Sequence, residues 1–573
     1  MDNRYKYRHN PIVKKIFMTM LIPTIFMNLT TAIASMADAI IIGQYLDDAS
    51  LSVVTFAMPI FLIINVFSAL FAVGGCISMS IDAGKGDKEE ANKAFSISIE
   101  LLLTMGVLLL LAGLFFSRTI TGWLGAEEDI FESVELYSRI ILMGGPFFVL
   151  NTGLAFFVRN DGRPTLSMVG MFASIFVDIT LNFVFVGVMK IGVAGAAYST
   201  VIGSIVSVFI VCTHFFHAKN TLKFCFAFDS MAIRIMKNGG STALQFIYQF
   251  VTVLIMNHFL ANLSGTGGVV IYTVVINLST VALSLFEGIS QTIQPMVSNY
   301  FGEKSYRKMK EVLRLAFITT LVICGSIMIL LEAMPQWIPM IFGIDDAALM
   351  ANSVIAVRIY TAGMIITTVN VVISYYLQSI EQTLMSAVIV SLRNFVLLLC
   401  AVFVLGKLFG MNGIWAAYPV AEVLTFLVGI GMICAKQKKL EKTGKHIDIF
   451  LLDETVEGNT ECYTYDSMND TFPDFCDIVL QSLAKRGDCC GEMAQDAENY
   501  LLQLGKGIKK KKGNYIEMEV NGLEKTIIIR DNLNHADIPV NIQDTIKSDS
   551  NSDYGPVLGW NRLIRKGIKS EEV

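Results

Sequence analysis

"KIGVAGAAYSTVIG" (residues 190–203) and "LFGMNGIWAAYPVAE" (408–422) share a G-x-x-G spacing at an offset of 218 residues. A second pair, "AGKGDKEEANKAF" (83–95) and "YFGEKSYRKMKEV" (300–312), reads as a repeat at an offset of 216. Two different motifs returning at nearly one interval predict an internal duplication. Each lies beside apolar runs of about 20 residues, the length that crosses a hydrocarbon core of roughly 30 Å. Six such runs separate the copies. Six is even, so both halves enter the membrane in the same direction. The repeat is therefore parallel, with its axis along the membrane normal, and encloses a cavity between its halves.

The whole chain agrees with that reading. Of its 573 residues 54% are hydrophobic and 16% charged, and the mean hydropathy is +0.57. Such a composition excludes an ordinary soluble protein. Twelve spans are predicted, from 16–37 to 414–434. The expected fold class is an all-α polytopic membrane protein: an N-lobe of six helices (1–220), a C-lobe of six (221–446), and a small soluble α/β domain (447–573). "YIEMEV" and "LEKTIIIRD" alternate in polarity around Asn521-Gly522, a hairpin signal inside that tail. "GKGIKKKKG" (505–513) is a basic loop suited to water or anionic lipid.

Orientation follows from charge. Alternate connections, with the N-terminus and "KQKKLEKTGK", hold 24 Lys and Arg near the span ends; the others hold about four. The positive-inside rule then places both termini in the cytoplasm of a bacterial plasma membrane. "MDNRYKYRHNPIVKK" leads into a long apolar run without a cleavage site, so it reads as a retained first span. The ten cysteines form no CxxC pair and read as reduced thiols.

Polar residues inside the spans are the candidates for function. In "FASIFVDITLNFVFVG" (172–187), Asp178 and Asn182 stand one helical turn apart. An ionised Asp at mid-helix costs roughly 2.5–3.5 kcal/mol. It persists where it meets a polar cavity or a partner, and the pair could share a proton or an ion. Asp38, toward the outer end of span 1, is the second acid. The C-lobe lacks equivalents, since the matching positions fall near Asn257, Val396 and Cys400. It offers Glu287 and Glu422 instead, each a pocket acid or a packing group. Arg393 is the natural counter-charge, most simply in a structural ion pair. Arg159, Asp161 and Arg163 read as topology and gating contacts. Abundant Met and Phe suit loose recognition of apolar cations.

"MADAIIIGQYLDDASLSVVTFAMPI", "SIDAGKGDKEEANKAF", "RNDGRPTLSMVGMFASIFVDITLN", "IGVAGAAYSTVIG", "GISQTIQPMVSNYFGEKSYRKMKEVLRLAF" and "GMNGIWAAYPVAEVLT" together resemble the multidrug and toxic compound extrusion (MATE) family. The resemblance covers about residues 10–436 and is similar in detail to the MepA-like subgroup. It implies two rocking lobes that extrude organic cations in exchange for H⁺ or Na⁺, with no other cofactor, no enzymatic activity and no nucleic-acid partner. The family's first-helix aspartate maps onto Asp38. Its fifth-helix pair reads Asn then Asp, whereas this chain has Asp178 then Asn182. Where some members carry a helix-7 acid, this chain has Gln245 and Gln249.

The tail resembles a histidine-kinase-like ATPase domain of anti-sigma-factor type. "TIIIRDN" is similar to its strand ending in an adenine-binding aspartate, here Asp531. The following glycines are absent, and "AENYLLQLGK" lacks the metal pair, so a degenerate domain binding a regulatory partner or a nucleotide is expected. Partners are otherwise cationic drugs and membrane lipid. A lipid-linked precursor flippase and a membrane-anchored sensor stay open as alternatives.

Overall fold

The structure is a computed structural model. It describes residues 11–46, 48–126, 128–225, 230–342, 344, 346–467, 470–485, 501, 515–521, 523, 526–531, 552–558 and 560–566. The basic loop 505–513 and the "AENYLLQLGK" segment fall outside them, apart from Leu501.

Among the described residues ten helices are long and apolar enough to cross a membrane, and a helix pair bent by 46° makes an eleventh. The run Thr383–Glu441 holds two spans, because Gly410 interrupts it at φ 62° and ψ −140°. A straight helix of that length would measure about 89 Å, near three times the hydrocarbon core. The spans are α1 Pro11–Tyr45, α2 Ser52–Gly84, α3 Lys88–Phe115, α4 (the bent pair Phe131–Met143 and Gly145–Asn160), α5 Pro164–Val188 and α6 Val193–Phe216. The second set is α7 Met231–Leu260, α8 Gly267–Gly302, α9 Tyr306–Ala333, α10 Ala347–Ser379, α11 (383–409) and α12 (411–441). This is the expected fold: two lobes of six helices in parallel repeat.

The backbone fixes the repeat interval. Gly192 and Gly410 both take positive φ (78° and 62°) where a span begins, at the offset of 218. The second motif obeys the same interval, which corrects the value of 216. Gly86 (φ 78°) and Lys304 (φ 59°) hold equivalent left-handed positions. Asp87 and Ser305 follow as the residues before α3 and α9. Matching by glycine identity pairs Gly86 with Gly302; matching by conformation pairs it with Lys304. A lysine here tolerates the conformation that favours glycine.

The lobes meet tightly at the end where α2 finishes. A Cβ at Gly84 would lie 2.2 Å from Asn299 O, and one at Gly302 would lie 2.1 Å from Ile81 O. Gly74 and Gly239 allow the same approach between α2 and α7. Helices in lipid gain little from the hydrophobic effect, so small residues that admit backbone contact become the adhesive surface.

The tail forms a five-stranded sheet, order β1-β2-β3-β5-β4, antiparallel throughout. Its strands are β1 Thr460–Asp466, β2 Tyr515–Asn521, β3 Thr526–Asp531, β4 Ser552–Val557 and β5 Trp560–Lys566. β2 and β3 form the hairpin read from sequence, with Asn521↔Thr526 as its last pair. One sheet face carries Ile516, Met518, Val520, Ile527, Ile529 and Leu563, packed with Phe475 and Val479 of α13 (Phe472–Lys485).

Candidate transport site

In the N-lobe, Ser174, Asp178 and Asn182 recur every four residues on α5, and all three are buried. This is the polar stripe expected from 3.6-residue periodicity. It faces α6, where a Cβ on Gly203 would come 2.5 Å from Ser174 O and 3.3 Å from the Asp178 Cβ. A π-helical turn, Phe183–Val188, follows Asn182 directly. Such turns re-aim side chains and recur at functional sites. α1 also packs along α5, so the helix carrying Asp38 runs beside the one carrying Asp178. The Asp38 side chain itself lies outside the described residues.

In the C-lobe the two candidate glutamates have different partners. Glu422 is 1% exposed. Its Oε1 accepts from Arg393 Nε at 2.8 Å, and its Oε2 from Asn370 Nδ2 at 2.7 Å. Arg393 therefore does supply the counter-charge read from sequence. Glu287 accepts from Gln245 Nε2 at 2.5 Å. A straight helix would separate residues 42 apart by about 63 Å, so α7 and α8 fold back on each other. Gln245, in the position where an acid was sought, thus serves an acid on the next helix.

Arg393 and Glu422 line a cleft between α7, α8, α10, α11 and α12. Tyr272, Tyr360, Trp415 and Tyr418 give it an aromatic wall, and Met256 and Gln249 complete that side. Tyr360 and Tyr418 stack with centroids 4.5 Å apart. Their hydroxyls bond to Ser279 and Thr367, each at 2.7 Å. Asn370 and this tyrosine pair escaped the sequence reading. The only available signal was a lone Asn in the apolar stretch "TTVNVVIS".

A second polar set joins the lobes. Asn28 and Gln291 exchange amide hydrogen bonds at 3.2 Å, and Arg159 Nη1 donates to Gln291 Oε1 at 3.0 Å. Arg159 is fully buried, with its guanidinium 4.6 Å from the Phe156 ring centre. Nearer the tail, Arg234 links Asp82 (2.5 Å) to Glu381 (2.7 Å), and Asn238 donates to Ser78 at 3.0 Å. Asp161 holds the inter-lobe connection, accepting from Thr221 N at 3.0 Å and lying 2.6 Å from His214 Nε2. Arg163 precedes the first turn of α5. In the tail, Asp531 is fully buried and accepts from Asn561 Nδ2 at 2.8 Å.

Two parallel six-helix lobes meeting at a polar seam, with acids buried inside each, define the class of secondary transporters built by duplication. The family model MatE matches residues 23–184 and again 241–403, once per lobe, and the chain belongs to that family. The multidrug export protein MepA of Staphylococcus saprophyticus is 24% identical over 444 residues, covering 77% of this chain and 97% of the relative. MepA of Staphylococcus aureus (strain N315) is 23% identical over the same length and coverage. Almost nothing of either relative is left over to match the tail. A solved multidrug resistance MATE family transporter of the MOP superfamily, in an outward-facing conformation, shares the fold with TM-score 0.70 at 21% identity. A MATE crystal structure in complex with MaL6 gives TM-score 0.70 at 20% identity. Each covers 75% of this chain and 98% of its own.

Proposed function

We propose that this chain is a secondary-active multidrug exporter of the bacterial plasma membrane, moving organic cations outward as H⁺ or Na⁺ enters. The observation that carries the reading is the buried Asp178 and Asn182 stripe on α5, in a lobe that otherwise wants oil. A carboxylate retained in such a helix is suited to bind a proton or a cation and release it again. The ion enters the N-lobe set of Asp38, Asp178 and Asn182 and disfavours the drug; the drug in turn disfavours the ion. Exchange then follows from the different affinities of the two lobe arrangements. MepA relatives, named for multidrug export, support the substrate class.

In the C-lobe, Glu422 lines the aromatic cleft, while Glu287 is held by Gln245. Arg393 already balances Glu422, so the cleft offers a π-rich surface rather than a bare negative charge. Aromatic faces attract organic cations without demanding one shape. Both termini, and the tail at 447–573, lie in the cytoplasm on this reading. The tail binds within the protein, to a regulatory partner or to a nucleotide; Asp531, the residue the nucleotide reading names, is buried and held by Asn561.

The test is ethidium export by the Asp38→Asn and Asp178→Asn variants. Each is expected to lose export while remaining in the membrane at wild-type levels. Normal export by the double variant would sink the mechanism. Removal of 447–573 separates a transporter, which keeps at least partial export, from a sensor, which loses its function.

A further inference from the structure

The strands of the tail alternate in polarity, as a sheet with one face in water should. Their polar face is buried all the same. Glu517 and Glu519 of β2, Arg530 of β3 and Arg562 of β5 are each under 5% exposed. What covers them is the end of the helical bundle. Glu517 and Glu519 meet Lys308 at 2.8 Å and 2.5 Å, and Ser305 donates to Glu519 at 2.7 Å. Arg530 pairs with Glu303, and Arg562 Nη1 reaches the other Glu303 oxygen at 2.8 Å. Three cations thus face three anions, so the buried cluster is neutral. That balance is what allows it to stay out of water.

The contacts reach both lobes. Glu303, Ser305 and Lys308 belong to the α8–α9 corner of the C-lobe. The same Arg562 guanidinium also donates to the carbonyls of Ala83 and Gly84 at the end of α2, at 2.5 Å and 3.3 Å. Lys15 of α1 lies 5.4 Å and 5.6 Å from the Tyr515 and Trp560 rings. Ile12, Phe17, Tyr300, Leu377 and Trp560 share one apolar cluster. The tail therefore spans the seam at the point where Gly84 and Gly302 touch.

We propose that the tail is a clamp that holds the two lobes closed at this end. Exposing a central site on the tail side requires Gly84 to leave Gly302. The C-lobe would keep Glu303 and Lys308 against the sheet, while the Ala83 and Gly84 carbonyls withdrew from Arg562. The docked tail consequently binds one lobe arrangement better than the other, which is the condition for shifting their balance. Undocking of the sheet releases the transporter to cycle. This inference rests on the two-state reading above but not on the identity of the drug.

The test uses spin labels at Glu89 on the N-lobe and Lys304 on the C-lobe, both exposed, in liposomes without drug. The full chain should give one short distance. Arg562→Gln, and separately the chain ending at residue 446, should each add a longer-distance population at least several-fold larger than in the full chain. The MepA relatives, matched over 97% of their length by 77% of this chain, make the shortened form a sound second variant. An unchanged short distance in that form overturns the clamp, whatever Arg562→Gln does. Ethidium export by the same preparations reports on the exporter reading separately.

Discussion

Gly84→Ala probes the closed seam with a single methyl group. Its Cβ would stand 2.2 Å from Asn299 O and 3.1 Å from Gly302 Cα. Ordinary contact needs roughly 3.5 Å, so the two helices must part by about 1 Å. Overpacking of this kind costs about 1–3 kcal/mol. Both atoms belong to the opposite lobe, so separation of the lobes relieves the clash entirely. The cost therefore falls on the closed arrangement alone and shifts the balance toward opening by about 5- to 150-fold. The distance between labels at Glu89 and Lys304 should lengthen while the melting temperature falls little. Gly431→Ala, with nothing within 4 Å of its Cβ, should change neither quantity. A short distance retained in Gly84→Ala, with normal melting, would show that the seam is looser than the glycine contacts imply.

Other perturbations test other parts. Glu422→Gln strands Arg393 without its anion, and breaking a buried pair costs about 3–5 kcal/mol; a double variant Glu422→Gln/Arg393→Gln should recover part of the lost melting temperature. No recovery would mean the pair is not the coupled unit the 2.8 Å contact indicates. Gly192→Ala and Gly410→Ala place a side chain at φ 78° and 62° and should each lower stability by about 1–3 kcal/mol; an effect below a few tenths would argue against the turn. Docking of the tail should depend on pH in one direction. Burial raises Glu303 and Glu517, but the charges of Arg530, Arg562 and Lys308 around Glu303, and of Lys308 and Arg530 around Glu517, outweigh it and hold both below the usual carboxylate value of 4.5. A carboxylate lowered in the folded state contributes fully above its unfolded value and is lost as pH falls through the folded one. Protease protection of the tail should thus be flat from about pH 5 upward and fail only below about pH 4.5; loss between pH 6 and pH 8 would contradict the ion cluster.

The membrane fold was legible because lipid leaves the chain so few options. Apolar length, basic connections and repeated G-x-x-G turns each report a physical constraint, and they converge on twelve spans in two copies. The offset of the second motif was misread because Lys304 does the work of a glycine. Asp178, Glu287 and Glu422, with the amide of Asn182, stood out as charges and amides in oil. Arg393 stood out too, as a counter-charge, but the amide partners did not. Asn370 and Gln245 are ordinary polar residues until the helices bring them to Glu422 and Glu287, and only tertiary packing decides that. The docked tail was invisible for a related reason. Glu517, Glu519 and Arg530 alternate with apolar neighbours, a pattern that by itself signals only a hairpin, while Glu303 and Lys308 lie in a connection whose basic charge reports orientation. Neither pattern reveals that each is the other's counter-ion.

Ethidium transport in proteoliposomes, driven in turn by an imposed proton gradient and an imposed sodium gradient, bears most directly on the proposed exchange. Export driven by one of these ions, and lost in Asp178→Asn, is the expected result; protons alone would make Asp178 a protonation site, and sodium alone would make it part of a cation cage. Export under neither gradient, from protein that is correctly folded and inserted, would contradict drug–ion exchange.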